Sequence, residues 1–360
     1  MGYLRNCWYV VSWSQDLAIG QPFGTVVIDE PVVVYRKQDG ELVAFEDRCL
    51  HRFAPLSAGR CEGDRLRCMY HGLLFEPDGS IAEIPGQEQV PDQARLRRYP
   101  VAEKHSWVWV WMGDPAQADE KLIPPAVGYD NPDFVLGHGQ IDYAAEARLV
   151  CDNLLDLSHL SFVHIDSFGA GDEWAGRVPK YTRRERSIRV ERWMQADINA
   201  RTQASEPMDR YQVYDFYLPG IFLMTGGNFP LGTGEKLGFA EPDLDDAISG
   251  VTFTSQAVSP TGPRTARYFF NWGPHRRHGD EAFRDQLMVL AGKAFAEDKA
   301  MIESQQTIID FDPGRNPVPI KADKGVILYN RMLNAMLAEE EGATAEVASH
   351  GWAGQPVEAE

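Results

Sequence analysis

Through the first 118 residues apolar positions come in short runs or at every second residue, the period of a β-strand and not of a helix. The runs "TVVIDEPVVVYRK" and "ELVAFED" flank a turn at Asp39-Gly40. "GLLFEPDGSIAEI" reads as a hairpin about Asp78-Gly79, and "SWVWVWMG" alternates with period two. Short strands joined by Gly-, Pro- and Asp-rich turns predict a small antiparallel β domain over residues 1–118. After "GDPAQADEKLIPP" the period changes. "AEARLVCDNLLDLSHLSFVH" spaces its apolar residues as a helix does, and residues 175–275 return to strands, among them "RYQVYDFYLPGIFLMTGG" and "TARYFFNWG". A long helix is predicted in "DEAFRDQLMVLAGKAFAEDKAMIESQQTII" and another in "VILYNRMLNAMLAEEE". Residues 343–360, small and acidic, predict a disordered tail. The predicted class is α+β in two domains, 1–118 and 119–342.

Length and charge narrow the function. A chain of 360 residues with 44% apolar and 11% aromatic residues has ample material for two packed cores. A net charge of −18 and a pI near 4.9 repel phosphate backbones, so no nucleic-acid partner is expected; an acidic face could instead dock a basic redox partner. No uncharged apolar run approaches the ~18 residues of a membrane span. "MGYLRNCWYVVSWSQDL" lacks a basic region followed by an apolar run, and Asn6 makes Gly2 a poor lipidation site. The expectation is a soluble, cytoplasmic protein. Five cysteines are too few for a disulfide framework, and three of them cluster, which favours metal chemistry in a reducing compartment.

That cluster is "CLHRFAPLSAGRCEGDRLRCMYH". It holds Cys49-x-His51 and Cys68-x-x-His71, separated by sixteen residues. Two Cys with two His suit either zinc or a Rieske 2Fe–2S centre. Zinc fingers pair Cys with Cys and His with His, whereas here each arm carries one of each. In a Rieske centre two thiolates hold one iron and two imidazoles the other, so each loop supplies one ligand to each iron. Neutral imidazoles raise the reduction potential above that of all-Cys clusters. Gly59, Gly63, Gly72 and Pro55 allow the loops to approach the sulfides closely. Cys61 falls out of register and is read as a packing residue, as are Cys7 and Cys151.

"DNLLDLSHLSFVH" supplies a second set: Asn153, Asp156, His159 and His164. Asn153, Asp156 and His159 fall at i, i+3 and i+6 on one helical stripe. His164 lies about 140° around an ideal helix from His159, so for both to meet one ion the helix must distort or end between them. Two histidines and a carboxylate with open positions form the facial triad of non-haem Fe(II) oxygenases. "AFAEDKAMIES" offers Glu297, Asp298 and Glu303 as the carboxylate, and spacing alone does not choose among them.

Together "CLH…CMYHG" and "NLLDLSHLSFVH" resemble the oxygenase components of Rieske non-haem iron oxygenases, in particular the group containing vanillate O-demethylase and dicamba monooxygenase. The resemblance spans nearly the whole chain, from "NCWYVV" through "FAEDKAMIESQQ" to "KADKGVILYNRML". It implies a Rieske domain and a helix-grip (START-like) catalytic domain, a curved antiparallel sheet wrapped round a long helix. It also implies a 2Fe–2S cluster on Cys49, His51, Cys68 and His71, and a mononuclear Fe(II) on His159, His164 and Asp298. Asp156 would link His71 of one subunit of a homotrimer to His159 of the next, with Asn153 near the iron. No flavin, nicotinamide or four-cysteine motif is present, so electrons are expected from a separate NAD(P)H-dependent reductase, with flavin or ferredoxin. The implied reaction is O-demethylation of a methoxylated aromatic acid to a phenol and formaldehyde. Ring or methyl hydroxylation and N-demethylation are alternatives by the same machinery. A simple Rieske electron carrier would need neither the triad nor a second domain. An anionic substrate entering this acidic chain needs a local cation or donors: Arg210 on a predicted strand, Arg276 and Arg277 on a loop, and Asn228 are the candidates.

Overall fold

The computed structural model describes residues 2–91, 93–165, 167–168, 172–197 and 206–350, with backbone alone for 172–173 and 343–350. Strands of the first 111 residues form three antiparallel sheets among the described residues. One joins Trp8–Trp13, Trp107–Trp111 and Val101–Lys104; a second joins Phe23–Val27, Glu30–Arg36, Leu42–Glu46 and Arg98–Tyr99. The third, from Arg60–Glu62, Arg65–Arg67, Leu74–Phe75 and Ile81–Glu83, carries the cysteine-rich loops. The Asp39-Gly40 and Asp78-Gly79 turns form as predicted, with Gly40 and Gly79 at φ 93° and 86°. "TVVIDEPVVVYRK" is two strands and not one. Ile28 and Asp29 turn the chain at φ 45° and 66° without a glycine, and the Ile28 N–H donates to Pro260 O at 2.8 Å.

The strand Trp107–Trp111 joins the two halves. Its alternation is large against small and not apolar against polar, because every residue in it is buried. Val108 and Val110 pack among Val32, Val34 and Tyr99 of the N-terminal sheets. Trp107, Trp109 and Trp111 face Ile221, Leu223, Ala257 and Phe269. Those four residues lie on one face of a seven-stranded antiparallel sheet, ordered Gly137–Tyr143, Thr265–Pro274, Ser249–Gly262, Ile221–Phe229, Met208–Tyr217, Ser187–Asp197 and Lys180–Arg183.

The opposite face of that sheet positions the site. Directly paired residues share a face. Arg192 pairs with Gln212, which pairs with Gly226, and Tyr214 pairs with Met224, then Thr254, then Trp272. Where this face is apolar, at Ile188, Val190, Phe216, Phe222, Tyr268 and Phe270, it packs on helices Ala147–Leu155, Glu281–Phe311 and Lys324–His350. In the long helix Asp280 accepts from Phe283 N at 3.0 Å as the N-cap, and Leu287, Ala291, Ala294, Phe295, Asp298, Ile302 and Gln306 form its buried stripe. The architecture is the predicted α+β arrangement. The last helix runs to His350, so helical backbone continues past the predicted end at 342; residues 351–360 of the predicted tail lie outside the described residues. No helix among the described residues is long and apolar enough to cross a membrane.

Candidate functional site

The two cysteine arms are parallel constructions. Cys49 N donates to Ala54 O (2.9 Å) and Phe53 N to Cys49 O (3.0 Å); in the second arm Cys68 N donates to Leu73 O (2.8 Å) and Gly72 N to Cys68 O (3.0 Å). Each loop reverses through a residue with positive φ, Phe53 at 57° and Gly72 at 79°. Gly72 is required for space as well, since a Cβ there would meet Pro85 Cγ at 2.8 Å. The turns bury Cys49 and Cys68 in an apolar cluster with Leu56, Leu66 and Phe75. His51 and His71 stand at the exposed tip with ring centroids 4.5 Å apart. Buried thiols below and paired imidazoles above are the donor set and polarity of a Rieske cluster, with the two thiolates toward the core. Burial pushes the Cys49 thiol up to about 11, so the unloaded arm holds a neutral thiol that must lose its proton to bind iron. Cys61 sits in the strand Arg60–Glu62 opposite Leu66 and packs against the same cluster, as expected of a packing residue. Cys7 and Cys151 are buried elsewhere, their thiols against Leu4 O and Pro219 O.

The second set comes together where the helix Ala147–Leu155 breaks. Asp156 leaves helical geometry (φ −114°, ψ 92°) and its carboxylate accepts from Ser158 N at 2.8 Å, starting a 3₁₀ turn over Leu157–Ser161. The predicted distortion therefore occurs, but before His159. The single helical stripe of Asn153, Asp156 and His159 does not exist, because Asp156 is a cap and not a helical residue. His159 and His164 are brought to ring centroids 5.2 Å apart. Asp298 projects from the buried stripe of the long helix, its Oδ1 3.5 Å from His159 Nε2 and 3.2 Å from His164 Nε2. The three ligand atoms all lie within 4.8 Å of one another, and Asn153 Nδ2 donates to Asp298 Oδ1 at 3.1 Å. Of the three carboxylates left open by spacing, only Asp298 joins the two imidazoles. Glu303 instead accepts from Ala144 N at 2.8 Å, and Glu297 turns to the other edge of His164.

The chemistry of this donor set fits a divalent metal. His164 is fully buried, yet its Nε2 has no hydrogen-bond partner among the described residues, and Asp298 Oδ1 faces it at 3.2 Å. Its Nδ1 and that of His159 are both engaged elsewhere, which points both Nε2 lone pairs toward the carboxylate. Burial lowers the pKa of His159 below its ordinary value. For His164 burial acts in the same direction, but the neighbouring carboxylates of Asp298 and Glu297 outweigh it and raise the pKa. Two imidazoles and one carboxylate leave further positions of an octahedral ion open, as oxygenase chemistry requires.

A cavity of about 540 Å³ opens beside these three residues. Its wall next to the triad is aromatic: Phe168, whose ring centroid is 5.0 Å from that of His164, then Trp272 at 6.1 Å from Phe168, and Phe295. The sheet face supplies Thr252, Thr254, Gln256, Met224 and Gln212, and Arg210 lines the wall three strands from Trp272. Besides His164 Nε2, two polar atoms of the lining, Gln256 Oε1 and Trp272 Nε1, are buried without a partner among the described residues. Arg210 is one of the three cations the sequence offers, and its only ion pair among the described residues, with Asp197, spans 3.8 Å. Burial lowers its pKa, with Asp197 acting against that shift. Asn228 does not line the cavity. A register shift between Gly226 and Asn228 displaces it, and its Nδ2 donates to Ser249 Oγ at 3.1 Å. Arg276 and Arg277 are spent outside the cavity, on Pro132 O and Asp245. Sequence reading also missed Gln212, Thr254 and Gln256; alternation from Arg210 points to Gln212, whereas Thr254 and Gln256 join this face only through pairing with the strand of Trp272.

Comparison with known proteins agrees with both centres. Residues 7–100 match the Rieske [2Fe-2S] domain and residues 143–339 the vanillate O-demethylase oxygenase C-terminal domain. The iron-sulfur subunit of the toluene-4-sulfonate monooxygenase system of Comamonas testosteroni is 36% identical over 352 residues, 95% of this chain and 99% of that protein. A vanillate O-demethylase oxygenase subunit from a Pseudomonas species is 32% identical over 350 residues, covering 94% and 96%. Dicamba monooxygenase bound to dicamba has the same fold, with a TM-score of 0.82 at 24% identity over 95% of this chain and 100% of that one.

Proposed function

The chain belongs to the Rieske non-haem iron oxygenases with a vanillate O-demethylase type catalytic domain, and from that premise we propose that it demethylates a methoxylated aromatic acid. It is the oxygenase component of a multicomponent system and needs a reductase. Cys49, Cys68, His51 and His71 would hold the 2Fe–2S cluster; His159, His164 and Asp298 would hold the mononuclear iron. When bound, these groups supply electrons and O2 activation.

The observation that carries the substrate reading is Arg210, a half-buried cation in the same cavity as the triad. The guanidinium would take the substrate carboxylate through charge-assisted hydrogen bonds, in a site whose overall field repels anions. Leu157, Leu160, Phe222 and Met224 would bracket the ring and keep water from it. The methoxy group would then lie at the end of the cavity lined by His159, His164 and Asp298. Hydroxylation of that methyl gives a hemiacetal, which breaks to the phenol and formaldehyde.

Asp156 is proposed as the carboxylate that ties His159 to His71 of a neighbouring subunit in a homotrimer. In the single chain His159 Nδ1 meets the Asp156 backbone carbonyl at 2.6 Å and not its carboxylate, which accepts from Ser158 N instead. Two apolar surfaces support such an assembly. Phe53 and Tyr70 at the cluster tip are 70% and 62% exposed, and Phe162 and Ile165 beside the triad are 65% and 66% exposed. Burying one against the other would bring His71 toward Asp156. The domain division at residue 118, a cytoplasmic location and an NAD(P)H-dependent reductase belong to the same proposal.

A second reading has its own observation. The toluene-4-sulfonate relative shares 36% identity and also takes an aromatic anion, so a ring methyl could replace the methoxy group at the same site. The two separate by product. Supplied with a competent reductase and a panel of methoxylated and methylated aromatic acids, O-demethylation releases formaldehyde one-to-one with phenol, for one O2 and two electrons. An alcohol that retains the methyl carbon would transfer the assignment to methyl hydroxylation, and a new ring hydroxyl would exclude both.

A further inference from the structure

The two candidate iron histidines are held by different partners. His159 Nδ1 faces a neutral acceptor, the carbonyl of Asp156 three residues earlier in its own turn. His164 Nδ1 lies 2.8 Å from Glu297 Oε2, a carboxylate from the long helix. Ser167 Oγ donates to the same oxygen at 2.5 Å, and Ser167 N donates to His164 O at 3.2 Å, so the carboxylate also closes the turn that carries the histidine. Glu297 and Asp298 are adjacent on one helix and point about 100° apart. Asp298 faces the Nε2 edge of the His164 ring while Glu297 holds the Nδ1 edge. One helical turn thus grips a single imidazole on both sides.

We propose that Glu297 is a positioning residue for the mononuclear iron: it fixes the Nδ1–H tautomer of His164, aims the Nε2 lone pair at the metal, and makes His164 the anchored ligand of the pair. The inference rests on the three-residue iron site and not on the identity of the substrate. Its physical basis is general. A ligand imidazole that donates its second N–H to a carboxylate is oriented and more basic than one that donates to a neutral carbonyl. A rotating ring must find its binding pose at each encounter, and Glu297 with Ser167 removes that freedom. An unconnected surface carboxylate would do none of this, and Glu297 has the half-buried position and paired donors of a built contact.

The test uses full-length protein with its Rieske cluster intact and its mononuclear site emptied by chelation, titrated with Co(II). Native protein should bind one Co(II) per chain with a d–d spectrum characteristic of the site. Glu297→Ala should weaken binding about 10- to 100-fold and shift that spectrum, in the range found when such outer partners are removed. Glu297→Gln keeps an acceptor but loses the charge and should fall between. Ser167→Ala should weaken binding by a few-fold in the same direction. Rieske absorbance, unchanged in all three, certifies the fold. Should Glu297→Ala lose that absorbance, Glu297→Gln and Ser167→Ala decide alone. Affinity within two-fold of native, with an unshifted spectrum, would overturn the role of Glu297. Failure of the native protein to bind Co(II) would instead overturn the iron site itself.

Discussion

Substitution of Arg210 by Met should separate recognition from stability. The guanidinium carries five N–H donors, and its one ion pair among the described residues spans 3.8 Å, beyond hydrogen-bonding distance. A substrate carboxylate at this wall would gain at least one charge-assisted hydrogen bond, and its loss costs about 1.5–3 kcal/mol. That corresponds to a rise in KM for the acid of roughly 10- to 150-fold. A methyl ester can only accept neutral hydrogen bonds of about 0.5–1.5 kcal/mol, so its KM should rise by no more than about ten-fold. The acid-over-ester preference in kcat/KM should therefore shrink in the variant while kcat for the acid falls little, since the reacting methyl is remote from the anion. Stability should move the other way. Arg210 is buried enough for its pKa to fall, and an apolar replacement of similar length relieves that desolvation, so Tm should hold or rise. Lys is not an adequate substitute, because it lacks the planar fork. Equal losses for acid and ester, or no change in either, would refute the anchoring argument. A drop in Tm with loss of Rieske absorbance would show that Arg210 holds the sheet together and not the substrate.

Cys68→Ser should abolish the visible absorbance of the cluster while Cys61→Ser retains it, because only Cys68 is at the base of a loop that ends in a paired histidine; zinc with no acid-labile sulfide would refute both. His164→Ala and Asp298→Ala should each lose the mononuclear iron by metal analysis with the Rieske spectrum unchanged. Asp156→Asn keeps the Ser158 N–H acceptor and the backbone carbonyl facing His159, so iron content should remain native. Turnover should nonetheless collapse, and a steady-state rate within a few-fold of native would exclude a carboxylate link between subunits. Asp152 is raised by burial to about 7, with Arg148 and Asn330 opposing. Because its folded pKa exceeds its unfolded value, it contributes stability that is present at pH 4 and lost as pH rises toward 7. Asp152→Asn should flatten that decline in Tm, and an unchanged profile would show that the carboxyl is not the group titrating.

What could be read from the chain follows the sequence distance over which each feature is built. The cluster ligands were legible because each arm is a local device, a Cys and a His within four residues with the turn residues between them. That the first helix must break was legible from the angle between His159 and His164, but the break falls at Asp156, before both histidines and within the predicted helix. Asp298 was chosen on the resemblance alone, and the packing of its helix gives the physical reason. The buried stripe of its helix runs Leu287, Ala291, Ala294, Ile302 and Gln306, and position 298 falls in phase with it whereas 297 and 303 do not. A carboxylate on the inward stripe of a mostly apolar face is costly unless something compensates it, and a metal does. Glu297 could not be found this way, because its partner His164 lies 133 residues earlier and the contact exists only once the helix packs on the sheet. Asn228 fails for the converse reason. Strand parity places it in one row with Arg210, but the irregular pairing after Gly226 and the φ of 72° at Gly250 redirect its amide to Ser249. Alternation predicts a face only as long as the ladder is regular. Polar residues on the regular part of this sheet, Gln212, Thr254 and Gln256, are therefore the ones on which substrate selection should turn.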